Sequence, residues 1–374
     1  MASVFSESIN KPASEYVIPH SLHWWGRVYA LAGLAGLLLV VIVFATTLGS
    51  VHIPFSTCFE VLLSQLPFVN IASSCPEIFG MTLSIETVEM IILNVRLPRI
   101  LLAGLVGAAL AVAGATYQGL FRNPLADPYL LGVAAGAGLG ATIAFLIPFT
   151  VSWIAFGALP LFAFIGGMVA VAVVYSIARV GKALPVTTLI LAGVALGAFL
   201  SSITAYLMTI SGKDLHGIVF WLMGGLSLTK WSEVWIVLPC VLVGIVVIWI
   251  HARPLNVMQL DEEQAQQLGI NVEKVKLVLL GTATLVTAAA VCFTGLIGFV
   301  GILVPHAVRL IWGPDHRFLI PLSALVGAIF LILADTLAHT VLPPTEIPVG
   351  VITAFCGAPF FLYLLRKKKG GYFF

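Results

Sequence analysis

The side chains able to do chemistry in this chain fall into four groups. Asp335 is a carboxylate inside an otherwise apolar run, with His339 four residues on. An ionisable group in such a run can relay a proton, meet a cation or hold a neighbouring helix. Its position near the end of the run favours a structural hydrogen bond, to His339 or to an adjacent helix. Arg96 and Arg99 stand three apart, which places both guanidiniums on one helical face. Planar guanidiniums suit bidentate pairing with carboxylates, either of this chain or of a soluble partner, and they can also snorkel to headgroups. His339 and Glu346 belong to the same end. The third group is Leu255 to Asn271, LNVMQLDEEQAQQLGIN. Asp261 caps a short helix there, Glu262 and Glu263 favour its positive end, Gln264 holds the capping-box position and Gly269 stops it. Leu260, Ala265 and Leu268 are expected on one face of it. The fourth comprises Asn123, Leu125, Thr187 and Thr188, small or polar groups at two chain turns, for which ordinary capping is the plainer role.

Several chemistries have no residues to carry them. Gly212-Lys213 is followed by Asp214, so no Walker loop cradles ATP phosphates. Histidines are scattered, with neither an H-E-x-x-H pair nor ligand spacing, and no metal site is expected. His216 is the nearest thing to a haem-iron ligand, and a lone loop histidine is ordinarily polar surface. No nucleophile–base or paired-carboxylate arrangement is visible, so catalysis is not expected. Cys240, Cys292 and Cys356 lie singly in apolar runs and are expected as small core residues, while Cys58 and Cys75 share a loop where an oxidising compartment would let them pair.

These groups must be held by membrane helices. Of 374 residues 60% are hydrophobic and 9% charged, with mean hydropathy +1.10, which excludes an ordinary soluble domain. No basic cluster suggests nucleic acid. The expected class is an all-α polytopic membrane protein of about ten spans, near 28–48, 92–118, 129–148, 155–178, 186–210, 232–251, 276–295, 298–312, 318–340 and 349–365. Residues 1–27 read as a cytoplasmic tail, 28–366 as one membrane domain and 367–374 as a second tail. Within the domain, 49–90 is a long outer loop and 253–275 an inner loop. With the N-terminus inside, fourteen of the 18 Lys and Arg lie on inner segments, which sets an N-in, C-in orientation. Spans 2–5 and 7–10 are four-helix sets entering from opposite sides, an arrangement that allows an inverted repeat.

Between Arg99 and Arg122 lie 22 uncharged residues, roughly 33 Å of helix, enough to cross a bilayer core. Ala103, Gly107, Ala111 and Ala115 make a small-residue stripe along it, and Gly132, Gly136 and Gly140 make another on the next run. Joined by a short Asn-Pro…Asp-Pro turn, the two are expected to pack on each other as a hairpin, with Asp127 capping the second helix.

Arg96-Leu-Pro-Arg99, QGLFRNPLADP at 118–128 and Leu131-Gly-Val133 resemble the FecCD permeases. These are membrane subunits of binding-protein-dependent ABC importers for iron-siderophore, haem and cobalamin. Matching segments continue in order at 191–197, 221–225, 267–269, 298–306, 333–335 and 346–350. The resemblance implies a homodimer in a prokaryotic cytoplasmic membrane, with two ATPase subunits on the inner loops and a soluble binding protein outside. ATP and Mg would be used by the partner ATPase, and no cofactor is implied for this chain. Residues 260–269 would be the element that couples to the ATPase, and Arg96, Arg99, His339 and Glu346 the docking rim. Asn123, Leu125, Thr187 and Thr188 would lie near the cytoplasmic gate. On the family's breadth the cargo expected is an iron-siderophore, with cobalamin or haem as the alternative. An ion-coupled carrier is more distant, because it would require ionisable groups at mid-membrane.

Overall fold

A computed structural model describes residues 24–49, 53–65, 77–78, 81–82, 84–147, 157–181, 183–227 and 229–367. Both predicted tails, apart from the last residues before 28 and Lys367, lie outside the described residues, as do Cys75 and Lys182. In chain order the helices are α1 (Trp24–Thr47), α2 (Phe55–Ser64), α3 (Ile85–Met90), α4 (Leu97–Phe121), α5 (Val133–Leu146), α6 (Ala158–Ala178), α7 (Val186–Ile210) and α8 (Leu215–Leu222). They continue as α9 (Trp231–Ile250), α10 (Ala252–Met258), α11 (Glu262–Gln267), α12 (Val272–Thr294), α13 (Val300–Trp312), α14 (His316–Thr340) and α15 (Val349–Lys367). Among the described residues, seven helical stretches are long and apolar enough to cross a membrane: α1, the continuous run Ile85–Phe121, α6, α7, α9, α12 and α14. Three more, α5, α13 and α15, are apolar but shorter and pack into the same bundle.

The second span starts earlier than expected. Ile85–Met90, a π-helical turn over Ile91–Arg96 and α4 form one rod, so the preceding loop ends near Ser84, whose hydroxyl caps it. That loop carries α2 and a two-residue antiparallel pairing of Glu77–Ile78 with Met81–Thr82. Cys58 is buried on α2 and its thiol donates to the Thr46 carbonyl at 3.6 Å.

The hairpin expectation needs correction. The stripes on α4 and α5 do not face each other. A methyl group added at Gly107 would overlap the carbonyl of Gly327 on α14, and one at Gly136 or Gly140 would overlap the α6 backbone at Gly166 or Phe162. A small-residue stripe licenses close approach without naming the partner. Asp127 also caps differently: its Oδ1 accepts from Tyr129 N at 2.7 Å over a 3-10 turn, Pro128–Leu131, and α5 begins only after Gly132 at φ +82°. The core is therefore α4, almost wholly buried, ringed by α12, α13, α14 and α9.

Candidate coupling element and outer rim

At one end of the bundle, α9 passes through His251 into α10, and α11 follows after a short turn. Asp261 Oδ1 accepts from Glu262 N at 2.8 Å, and Gly269 at φ +82° ends the helix as expected. Asn271 Oδ1 then accepts from Lys274 N at 3.1 Å and starts α12. The three apolar residues do not share a face. Ala265 is fully buried, whereas Leu260 and Leu268 are each 68% exposed. The helix has only six residues, and the two leucines lie just outside it, so helical spacing does not govern their direction. The result is a small anchor beneath and two large apolar side chains presented outward.

The element is tied down by polar and charged side chains on the segments around it. Lys276, nearly buried on α12, donates to Glu262 Oε2 at 2.7 Å, Glu273 Oε1 at 3.4 Å and the Leu184 carbonyl at 3.3 Å. Arg122 lies 3.5 Å from Asp261. Gln259 donates to the Gly119 carbonyl at 2.7 Å. On α10, Asn256 donates to Asp315 Oδ1 at 2.7 Å and accepts from His316 N at 2.9 Å, which links α10 to the start of α14. Burial raises the Asp315 pKa, but bonds from Arg317 and Asn256 outweigh it and hold the carboxyl at about 2. The signal for Lys276 was present: a lysine one turn into an apolar run, three residues after Glu273. Nothing in the sequence pairs Asn256 with residues 59 and 60 positions away.

The four residues assigned to the gate lie at this same end. Asn123 Oδ1 accepts from Leu125 N at 2.9 Å, making a local turn, and Leu125 is exposed. Thr187 is exposed and Thr188 half-buried in the first turn of α7. The flanking Arg122 and Leu184 contact Asp261 and Lys276, so both turns adjoin α11 and its clamp.

At the opposite end, Arg99 fastens three segments. Its Nε and Nη2 donate to the two Asp335 oxygens at 2.8 and 2.9 Å. Nη1 and Nη2 donate to Glu346 at 2.8 and 3.1 Å, and Ser227 Oγ adds a bond to Glu346 at 2.7 Å. Asp335 is only 2% exposed and the Arg99 side chain 14%. His339 Nδ1 bonds the Asp335 carbonyl at 2.6 Å and lies 3.8 Å from its carboxylate. Burial works to raise the Glu346 pKa, but the bonds from Arg99 and Ser227 leave it below the usual glutamate range. Arg96 does not share this face. It bonds the Thr46 carbonyl at the end of α1, because the π turn that ends at Arg96 breaks the spacing of an α-helix.

Among the described residues no three His, Cys, Asp or Glu converge as a metal would require. The ends of the bundle thus offer a clamped two-leucine knob on one side and a braced carboxylate rim on the other, joined by uncharged helices.

The FecCD transport family model matches residues 37–367. The chain belongs to that family. It is 43% identical to the cobalamin import system permease BtuC of Halobacterium salinarum, over 92% of this chain and 97% of that protein. The hemin transport system permease HmuU of Yersinia pestis is 41% identical over 74% of this chain and 83% of its own length. Among solved structures, an inward-facing metal-chelate type ABC transporter superposes with TM-score 0.76 at 30% identity, covering 91% of this chain and 99% of that one. As a FecCD-type permease, the chain is the transport subunit of an ABC importer for a metal chelate. It works as a homodimer in the prokaryotic inner membrane, with two cytoplasmic ATPase subunits that hydrolyse the ATP and an external binding protein.

Proposed function

We propose that this FecCD permease carries a cobalamin, rather than the iron-siderophore favoured on family breadth. The observation that carries this reading is the near full-length likeness to one cobalamin permease. That of Halobacterium salinarum is 43% identical over 92% of this chain and 97% of its own length, whereas the haem permease, the Fe(3+)-citrate permease YfmE of Bacillus subtilis and the vitamin B12 permease of Salmonella paratyphi A align over 74 to 75% of this chain. The test is uptake by proteoliposomes holding the permease with its ATPase and binding protein. ATP-dependent uptake of cobalamin in preference to haem and ferric citrate is expected. Preference for either of the other two overturns the cobalamin reading.

The finer architecture belongs to the same proposal. Ten spans follow if α5, α13 and α15 join the seven long ones, with both ends and α11 on the cytoplasmic side. An inverted repeat of spans 2–5 and 7–10 is supported by a shared irregularity. The second helix of each set is short and follows a left-handed residue, Gly132 at φ +82° and Phe299 at φ +68°. The two irregular turns also touch: Tyr129 Oη donates to the Ile297 carbonyl at 3.0 Å and accepts from Ile297 N at 3.1 Å.

Residues 260–269 are proposed as the ATPase contact, with Leu260 and Leu268 filling a cleft on that subunit. Asn123, Leu125, Thr187 and Thr188 are proposed as the inner gate. The binding protein is proposed to dock on the rim of Arg99, His339 and Glu346, with Glu346 the group reaching solvent and Arg99 its brace, while Arg96, turned to the end of α1, is left out of that rim.

A further inference from the structure

α1 and α9 both pack on α14 and leave a seam between them. At the end that carries α10 and α11, the seam opens into a cleft of about 800 Å³. Its walls are Val28 and Leu31 of α1, Ile245 and Val246 of α9, and Phe318 of α14. Two features at the cleft mouth distinguish it from an ordinary lipid-facing groove. Arg253 and Arg317 both line it. Arg317 is shared with Asp315 at 2.6 Å, while Arg253 is exposed and has no carboxylate within salt-bridge distance among the described residues. Trp24 and Trp249 flank the arginines, and the Trp249 indole donates to the Arg317 carbonyl at 2.9 Å. Tryptophan beside arginine marks the level where hydrocarbon meets headgroups. Ile245 also lines a second, almost wholly apolar cleft of about 350 Å³ that continues along the seam past Leu38 and Ile42 toward Trp231 and Trp235. A cationic mouth on an apolar channel between membrane helices has the chemistry of an anionic lipid.

We infer that the α1–α9 seam binds one anionic phospholipid, its phosphodiester held by Arg253 and Arg317 and an acyl chain lying against Val246 and Ile245. The membrane supplies the occupant, since every apolar wall of the seam otherwise faces acyl chains. Arg253 provides the uncompensated charge that selects an anionic headgroup over a zwitterionic one. The site lies apart from the coupling knob and from the rim. Assigning it to the cytoplasmic leaflet rests on the orientation proposed above, but lipid retention does not depend on orientation, so the two fail separately.

The test is native mass spectrometry of the permease–ATPase complex in mild detergent with equimolar phosphatidylglycerol and phosphatidylcholine. Wild-type complex is expected to retain phosphatidylglycerol preferentially, with about five-fold of that preference lost for each arginine removed. Arg253→Gln should therefore weaken it and Arg253→Gln with Arg317→Gln bring it near parity. Val246→Trp keeps both arginines, fills the cleft from an exposed position and should also release the lipid. Unchanged preference in Arg253→Gln and Val246→Trp overturns the site. Loss in the arginine variants with none in Val246→Trp overturns it too, because it shows diffuse attraction to a basic surface. Displacement by soluble glycerol 3-phosphate at comparable concentration would assign the arginines to a free phosphate ester and overturn the lipid.

Discussion

Arg99 and Asp335 illustrate how a buried ion pair constrains substitution. Asp335 is 2% exposed, so removing its partner leaves an uncompensated charge among apolar helices. Arg99→Leu is expected to destabilise the purified permease by ~3–5 kcal/mol, read as a lowered Tm in detergent. Asp335→Leu should cost less, because Arg99 keeps Glu346 at 2.8 Å. Arg99→Leu with Asp335→Leu should recover much of the loss, since an apolar pair of similar volume is often neutral. A double variant no better than Arg99→Leu alone would mean that the arginine acts chiefly through Glu346. The pH dependence belongs to Glu346, whose folded pKa is depressed. A depressed carboxyl contributes stability above its unfolded pKa of about 4.3 and loses it as pH falls through the lower folded value. The Tm gap between the wild type and Glu346→Gln should hold from about pH 8 to 5 and shrink below about pH 4.

At the scale of single elements, α11 separates a buried anchor from an exposed contact. Leu260→Asp with Leu268→Asp alters only exposed side chains, so stability, read from the Tm, should stay within about 0.5 kcal/mol of wild type while ATP-coupled uptake falls at least ten-fold. Ala265→Leu is the converse, overpacking a fully buried site at a cost of ~1–3 kcal/mol. Loss of uptake only in parallel with loss of folding would remove α11 from the coupling role. Much of this was legible beforehand. The cap at Asp261 and the stop at Gly269 are local chemistry, carried by neighbouring residues, and span length follows from uncharged runs. What was not legible depends on partners far along the chain. Gly107 shows that something must come close, but only the fold shows that it is Gly327, 220 positions on. The divergence of Arg96 from Arg99 hangs on one π turn that no spacing rule anticipates, and the directions of Leu260 and Leu268 hang on where a short helix stops.

For the whole molecule, α7 poses the question of what covers it. The helix is long enough to span, yet only 11% of its most apolar window is buried. Its exposed residues are mixed: Leu191, Val194, Phe199 and Tyr206 stand beside Ser201, Ser202 and Thr209. Serine facing lipid is disfavoured even when it bonds its own helix, as Ser202 does to the Ala198 carbonyl at 2.9 Å. A surface with both characters suits a second permease copy at its apolar positions and a wetted passage at its hydroxyls. The gate candidates Thr187 and Thr188 begin this same helix. In the homodimer, a cysteine at Val194 is therefore expected to cross-link to its symmetry mate under mild oxidation in membranes, with all five native cysteines replaced by serine or alanine. A cysteine at Val169 on α6, equally apolar and exposed, is the control expected to stay monomeric. Cross-linking at Val169 with none at Val194 would move the dimer contact to α6 and take the passage, and Thr187 and Thr188 with it, away from α7.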